Sequence, residues 1–138
     1  MQIRLLPELQ RPLLAKFYRG HQSPMRAKGD AAIWVARERE IVGALCLTSV
    51  AGGQWLTGLF VAPEFRGQGV AQRLIEAAVN GVEGIVWLFC DPDLFGFYQR
   101  LGFVAAEQMP QALTDRLARY QQSKPLVAMA LYPFVQCT

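Results

Sequence analysis

Apolar positions change their spacing several times along the chain, and each change marks a new element. Between residues 7 and 20, Leu9, Leu13 and Phe17 recur at helical intervals with Leu14 beside them, and Gly20 supplies a stop, so an amphipathic helix is predicted there. Residues 21–30, with Ser23-Pro24 and Gly29-Asp30, have loop chemistry and room for a second short helix. Ala32–Arg37 and Ile41–Ser49 are β-rich runs parted by Glu38-Arg39-Glu40, which predicts a hairpin. Gly52-Gly53 is a further turn before a third strand, Trp55–Val61. The period then turns helical: Val70, Ala71, Leu74, Ile75 and Ala78 share one face of a helix over 70–80, closed by Gly81. Gly84–Cys90 is almost continuously apolar, the pattern of a strand covered on both faces. A short helix over 93–101, a brief strand at 103–105, a helix opened by Pro110 with Leu113, Leu117 and Tyr120 in register, and a strand over 126–132 complete the pattern.

Strand, glycine turn, helix and buried strand within residues 55–90 make a βαβ unit with two parallel strands, while the hairpins elsewhere are antiparallel. The predicted architecture is therefore α+β, with a mixed, mostly antiparallel sheet of six or seven strands and flanking helices. No repeat or low-complexity linker divides residues 1–138, which read as one domain. Composition narrows the class further. With 52% apolar and 18% charged residues the chain is too apolar to be disordered. No apolar run approaches the ~20 residues of a membrane helix. Pro7, Glu8, Arg11 and Pro12 interrupt the N-terminal stretch, so neither a membrane partner nor an export signal is predicted, and the expected location is the cytoplasm. Cys46, Cys90 and Cys137 form no CxxC pair and have a single histidine, His21, to share a site, which argues against bound metal and against a disulfide framework. The net charge of +3 is concentrated near the start, where Arg4, Arg11, Lys16, Arg19, Arg26 and Lys28 face Glu8 alone. No nucleic-acid-binding motif accompanies these cations, so a nucleic-acid partner is not predicted.

The segment with the most chemistry is Val61-Ala62-Pro63-Glu64-Phe65-Arg66-Gly67-Gln68-Gly69-Val70-Ala71. Glycines sit where a strand hands over to a helix. Unpaired amides there point outward, the helix dipole adds partial positive charge, and a glycine backbone lets a diphosphate approach. The segment lacks the lysine of a Walker loop and the third glycine of a dinucleotide fingerprint. It resembles the coenzyme A signature of the GCN5-related N-acetyltransferases, Arg/Gln-x-x-Gly-x-Gly/Ala, here Arg66-Gly67-Gln68-Gly69-Val70-Ala71 with the run-in Val61-Ala62-Pro63. A second stretch, Phe97-Tyr98-Gln99-Arg100-Leu101-Gly102-Phe103, is similar to the family's Tyr-x-x-x-Gly-Phe element and follows at the expected distance. The resemblance covers Ala32–Phe103.

That resemblance implies the acyl-coenzyme A N-acyltransferase fold and acetyl-coenzyme A as cosubstrate, with an amine of a small molecule or protein as acceptor and a homodimer as an open assembly. Arg66, Gly67, Gln68, Gly69, Val70 and Ala71 would hold the pyrophosphate. The edge of Leu59-Phe60-Val61 would pair with the pantetheine amides like an added strand, a backbone N–H at Phe60 or Val61 would receive the oxyanion, and Tyr98 would protonate the leaving thiolate. Asp91 stands where many members carry asparagine; it could orient a water on the pantetheine, accept a proton from the amine, or cap the next helix. The strand before the phosphate loop, 54–61, holds no carboxylate, so the general base is unassigned and a non-catalytic acyl-coenzyme A-binding module is the alternative reading. Cys90 reads as a packed strand end and His21 as loop surface. The cations around Arg19, His21, Arg26 and Lys28 suggest an acceptor that carries an anionic group.

Overall fold

The computed structural model describes residues 1–133, so Cys137 lies outside the described residues. Seven strands are linked in the order β1-β2-β3-β4-β5-β7-β6, with β1 at Gln2–Leu5, β2 at Ala32–Arg37, β3 at Ile41–Val50, β4 at Gly53–Val61, β5 at Ile85–Cys90, β6 at Val104–Ala105 and β7 at Val127–Leu131. Helices α1 (Arg11–Gly20), α2 (Val70–Val79), α3 (Phe95–Arg100) and α4 (Gln111–Tyr120) alternate with them. The pairs β1/β2, β2/β3, β5/β7 and β6/β7 are antiparallel, and β4/β5 is parallel, with Gly53, Gln54 and Trp55 opposite Ile85, Val86 and Trp87. The mixed, mostly antiparallel sheet and the parallel pair agree with the sequence pattern. The described residues gather into two compact units, one made of Met1–Thr48 and Leu56–Asn80, the other of Ser49–Trp55 and the described residues from Gly81.

In the first unit the alternation of side chains along β3 assigns one helix to each face of the strands. Ala44 and Cys46 join Ile33 and Val35 in a core covered by Leu14, Phe17 and Tyr18 of α1. Gly43 points the other way, beneath Val70 and Leu74 of α2, where an added Cβ would come within 3.1 Å of Leu74. Each fully buried Leu, Val or Phe of this kind stabilises the fold by about 1.5–3 kcal/mol. The second unit is built on β5, β7 and β6 with Trp87, Leu113 and Ala130 at its centre. The Trp87 indole N–H donates to the Gln108 carbonyl at 3.0 Å, and the Arg116 guanidinium of α4 lies 4.8 Å above the Trp55 ring.

Several expectations are corrected. The helix expected from residue 7 begins at Arg11, after a single 3-10 turn at Glu8–Gln10. The phase shifts with it: Leu9 is 95% exposed and Leu13 also lies outside the core, whereas Leu14, Phe17 and Tyr18 take the inward positions at i, i+3 and i+4. Residues 21–30 carry no second helix, because Ser23 closes back on the Tyr18 carbonyl and Pro24 follows at once. Strand β1 is unanticipated; it is short and mostly exposed and has no alternation strong enough to announce it. In α4 only Leu113 is fully buried, and Tyr120 lies outside the core.

Candidate functional site

The first unit assembles the phosphate-loop residues on one structural joint. Val61 ends β4, a 3-10 turn spans Pro63–Phe65, and α2 starts at Val70. Gly67 and Gly69 both adopt left-handed backbone, φ 77° and 79°, with no atom within 4 Å of an added Cβ. The glycines are therefore needed for conformation and leave open space above the loop. The first internal bond of α2 is Arg73 N–H to the Gly69 carbonyl, 3.0 Å, so the amides of Val70, Ala71 and Gln72 have no acceptor within the helix. The first turn carries no acidic residue and no side chain caps it. Arg66 is pinned beside this end: its Nε donates to the Val61 carbonyl at 2.8 Å and its guanidinium lies 5.1 Å above the Phe60 ring. Gln68 and Glu64 are tied together by a 3.2 Å bond from the Gln68 amide to the Glu64 carbonyl. An exposed, glycine-walled helix N-terminus with a cation held next to it fits a diphosphate.

Strand β4 contributes an irregularity that the sequence reading missed. Gly58, in its middle, has φ 67°, and its carbonyl accepts the Tyr18 hydroxyl at 2.6 Å. The left-handed residue interrupts the regular pleat just before Leu59, Phe60 and Val61. Tyr18 is 1% exposed, and burial, reinforced by the neighbouring Cys46, pushes its phenol far above the ordinary tyrosine range, so it stays a neutral donor. A glycine inside an otherwise β-rich run was the available signal. Tyr18→Phe is expected to keep the packing but strand the Gly58 carbonyl, costing about 1 kcal/mol and lowering Tm by about 4 °C. Gly58→Ala is expected to cost more, because it adds left-handed strain of about 1–2 kcal/mol and a Cβ only 2.8 Å from the Tyr18 oxygen. Thermal denaturation of both variants checks the order.

The remaining candidates belong to the second unit. Asp91 follows β5 and is exposed; its Oδ1 accepts the Asp93 N–H at 2.9 Å, so the capping role is present. Tyr98, on α3, is 6% exposed, with its ring edge-on to Phe97 and Phe103 at 5.0 and 5.8 Å. Burial first, and Cys90 second, push its phenol up to about 12, so the proton is held throughout the neutral range. Cys90 is buried at the strand end, and burial followed by Asp91 raises its thiol as well, which agrees with an unreactive packed cysteine. His21 departs from the surface reading. Its ring lies 5.0 Å from Phe17 and 5.6 Å from Phe60, both in the first unit.

Residues 29–105 match the family model described as an acetyltransferase (GNAT) domain. Over 78 residues the chain is 33% identical to the peptidyl-lysine N-acetyltransferase YjaB of Salmonella typhimurium, a match covering 54% of this chain. The chain thus spans about half, 51%, of that relative. Among solved structures, N-acetylglutamate synthase from Neisseria gonorrhoeae, complexed with coenzyme A and N-acetyl-glutamate, superposes with a TM-score of 0.71 at 16% identity, over 97% of this chain and 35% of that one. An aminoglycoside 6'-N-acetyltransferase complexed with coenzyme A gives 0.68 at 17% identity over the whole of both chains. At such identities the likeness establishes the fold.

Proposed function

The chain belongs to the GNAT acetyltransferase family, and from that premise we propose that it transfers an acetyl group from acetyl-coenzyme A directly to a primary amine of a small molecule or a protein. The observation that carries this reading is the joint between β4 and α2, where two left-handed glycines and three unpaired amides meet a pinned arginine within the matched segment. In the proposed roles Arg66, Gly67, Gln68, Gly69, Val70 and Ala71 bind the pyrophosphate. Leu59, Phe60 and Val61 offer backbone groups to the pantetheine, and Phe60 or Val61 N–H receives the oxyanion. As the amine nitrogen forms its bond to the acetyl carbon, the carbon–sulfur bond breaks and the Tyr98 hydroxyl gives its proton to the departing thiolate. The proton released by the amine goes to a base that is unassigned. Asp91 is proposed to hold a water on the pantetheine with the carboxylate oxygen that does not cap. Residues 1–138 are proposed to act as one N-acetyltransferase domain in the cytoplasm; no helix among the described residues is long and apolar enough to cross a membrane.

The absence of any Asp or Glu from Gly53–Val61 favours a second reading, a non-catalytic acyl-coenzyme A-binding module. Calorimetry with coenzyme A, followed by a thiol-release assay with acetyl-coenzyme A and a panel of amines, separates the two. Binding with turnover supports the enzyme, binding without turnover on any amine supports the module, and no binding refutes both.

A further inference from the structure

A pocket of about 300 Å³ opens in the first unit between the last two turns of α1 and the tip of the β2–β3 hairpin. Its charged lining is Lys16, Arg37 and Arg39 against Glu40, with His21 and the Phe17 ring beside them. Three cations facing one carboxylate, in a pocket with an apolar wall, select a small molecule that has both a hydrocarbon part and an anionic group. None of the three cations forms an ion pair among the described residues; Arg37 is held by a 2.9 Å bond to the Gln10 side-chain oxygen, which fixes one edge of its guanidinium. The pocket lies next to the strand that carries the proposed oxyanion donor. Phe17 and His21 line it, and both pack on the Phe60 ring at 5.8 and 5.6 Å. The Phe60 ring thus links the pocket wall to β4.

Resting on the acetyltransferase reading above, we propose that this pocket holds the carboxylate of the acceptor, so that the preferred acceptors are amines that also bear a carboxylate group. The cations that do this are Lys16, Arg37 and Arg39, with His21 as the wall toward Phe60. Arg19, Arg26 and Lys28, which the sequence pattern also brought forward, do not line the pocket. The α1 C-terminus contributes a partial negative charge at His21, so selectivity for the anion comes from the side chains and not from the helix.

The test uses amines matched except for the carboxylate, γ-aminobutyrate against propylamine and phenylalanine against phenethylamine. Lys16 and Arg39 are both exposed, so Lys16→Gln/Arg39→Gln is the variant expected to fold; far-UV circular dichroism and thermal denaturation check that it does. Wild-type kcat/KM is expected to favour the carboxylate member of each pair by about tenfold or more, and the variant to reduce that ratio to near one. Equal use of both members, or an unchanged ratio in the variant, overturns the proposal. Binding of the same four compounds to the coenzyme A-loaded protein, followed by calorimetry, does not depend on turnover. Carboxylate-selective binding that the variant loses supports the pocket even if no acetyl transfer occurs, in which case the acetyltransferase reading alone has failed. If instead the variant weakens coenzyme A but not dephospho-coenzyme A, the pocket serves the cosubstrate's phosphate and the acceptor assignment is wrong.

Discussion

Gly69→Glu is expected to abolish measurable coenzyme A binding while leaving the chain folded. The residue ends the loop at φ 79° with open space around its missing Cβ, so the glutamate finds room. Its folding cost is the left-handed backbone, about 1–2 kcal/mol. A carboxylate at a helix N-terminus is favourable to the helix itself, which offsets part of that cost. The same carboxylate occupies the space in which a diphosphate would meet the amides of Val70 and Ala71. Losing two charge-assisted hydrogen bonds, each worth about 1.5–3 kcal/mol, raises Kd by about 10²-fold or more before repulsion is counted. Calorimetry of the folded variant decides the matter; an unchanged coenzyme A affinity would refute the phosphate-loop assignment. Gly69→Asn, which tolerates left-handed backbone better, serves as the uncharged comparison.

Tyr98→Phe is expected to lower kcat by about 10²-fold or more with little change in coenzyme A affinity, the scale typical of general acid catalysis. The ring keeps its edge contacts with Phe97 and Phe103, so packing is retained and only the proton donor is lost. The pH dependence follows from the phenol pushed up to about 12 by burial. In the unfolded chain tyrosine ionises near 10. Below pH 10 the hydroxyl is neutral in both states and favours neither. Between 10 and 12 only the unfolded state gives up its proton, so the native state loses stability across that window. The phenylalanine variant is expected to lose less stability between pH 10 and 12 than the wild type in alkaline denaturation. A full kcat retained on the true acceptor at every pH would remove Tyr98 from the acid role.

Much of this arrangement was legible because period and punctuation are local properties. The apolar run Ile85–Cys90, the helix closed by Gly81 and the hairpin at Glu38–Glu40 appear where spacing placed them. The loop Arg66–Ala71 was legible for the same reason, since a glycine pair before a helical face specifies its own backbone. What escaped depends on partners distant in sequence. Strand β1 exists because β2 presents an edge to pair with, and nothing in Gln2–Leu5 announces it. The bond from Tyr18 to Gly58 joins residues 40 apart, and the cationic pocket draws Lys16 from a helix and Arg37 and Arg39 from a hairpin. The helical phase of α1 was misread because Leu9 lies before the helix begins and so does not belong to its repeat.

The three left-handed glycines near the proposed site also differ in what evolution can do with them. Every first- or second-base change of a glycine codon brings in a side chain with a Cβ or a stop. At Gly67 and Gly69 that Cβ meets nothing and the folding cost is the left-handed backbone alone, about 1–2 kcal/mol, so variants within that cost persist wherever survival requires only a folded chain and disappear when growth depends on activity. At Gly58 the Cβ runs into the Tyr18 hydroxyl, and variants are purged under either selection. Two saturation libraries, one sorted for abundance and one for activity, would therefore agree at residue 58 and diverge at 67 and 69. That contrast separates a glycine kept for the architecture from glycines kept for a ligand, without the ligand ever being added.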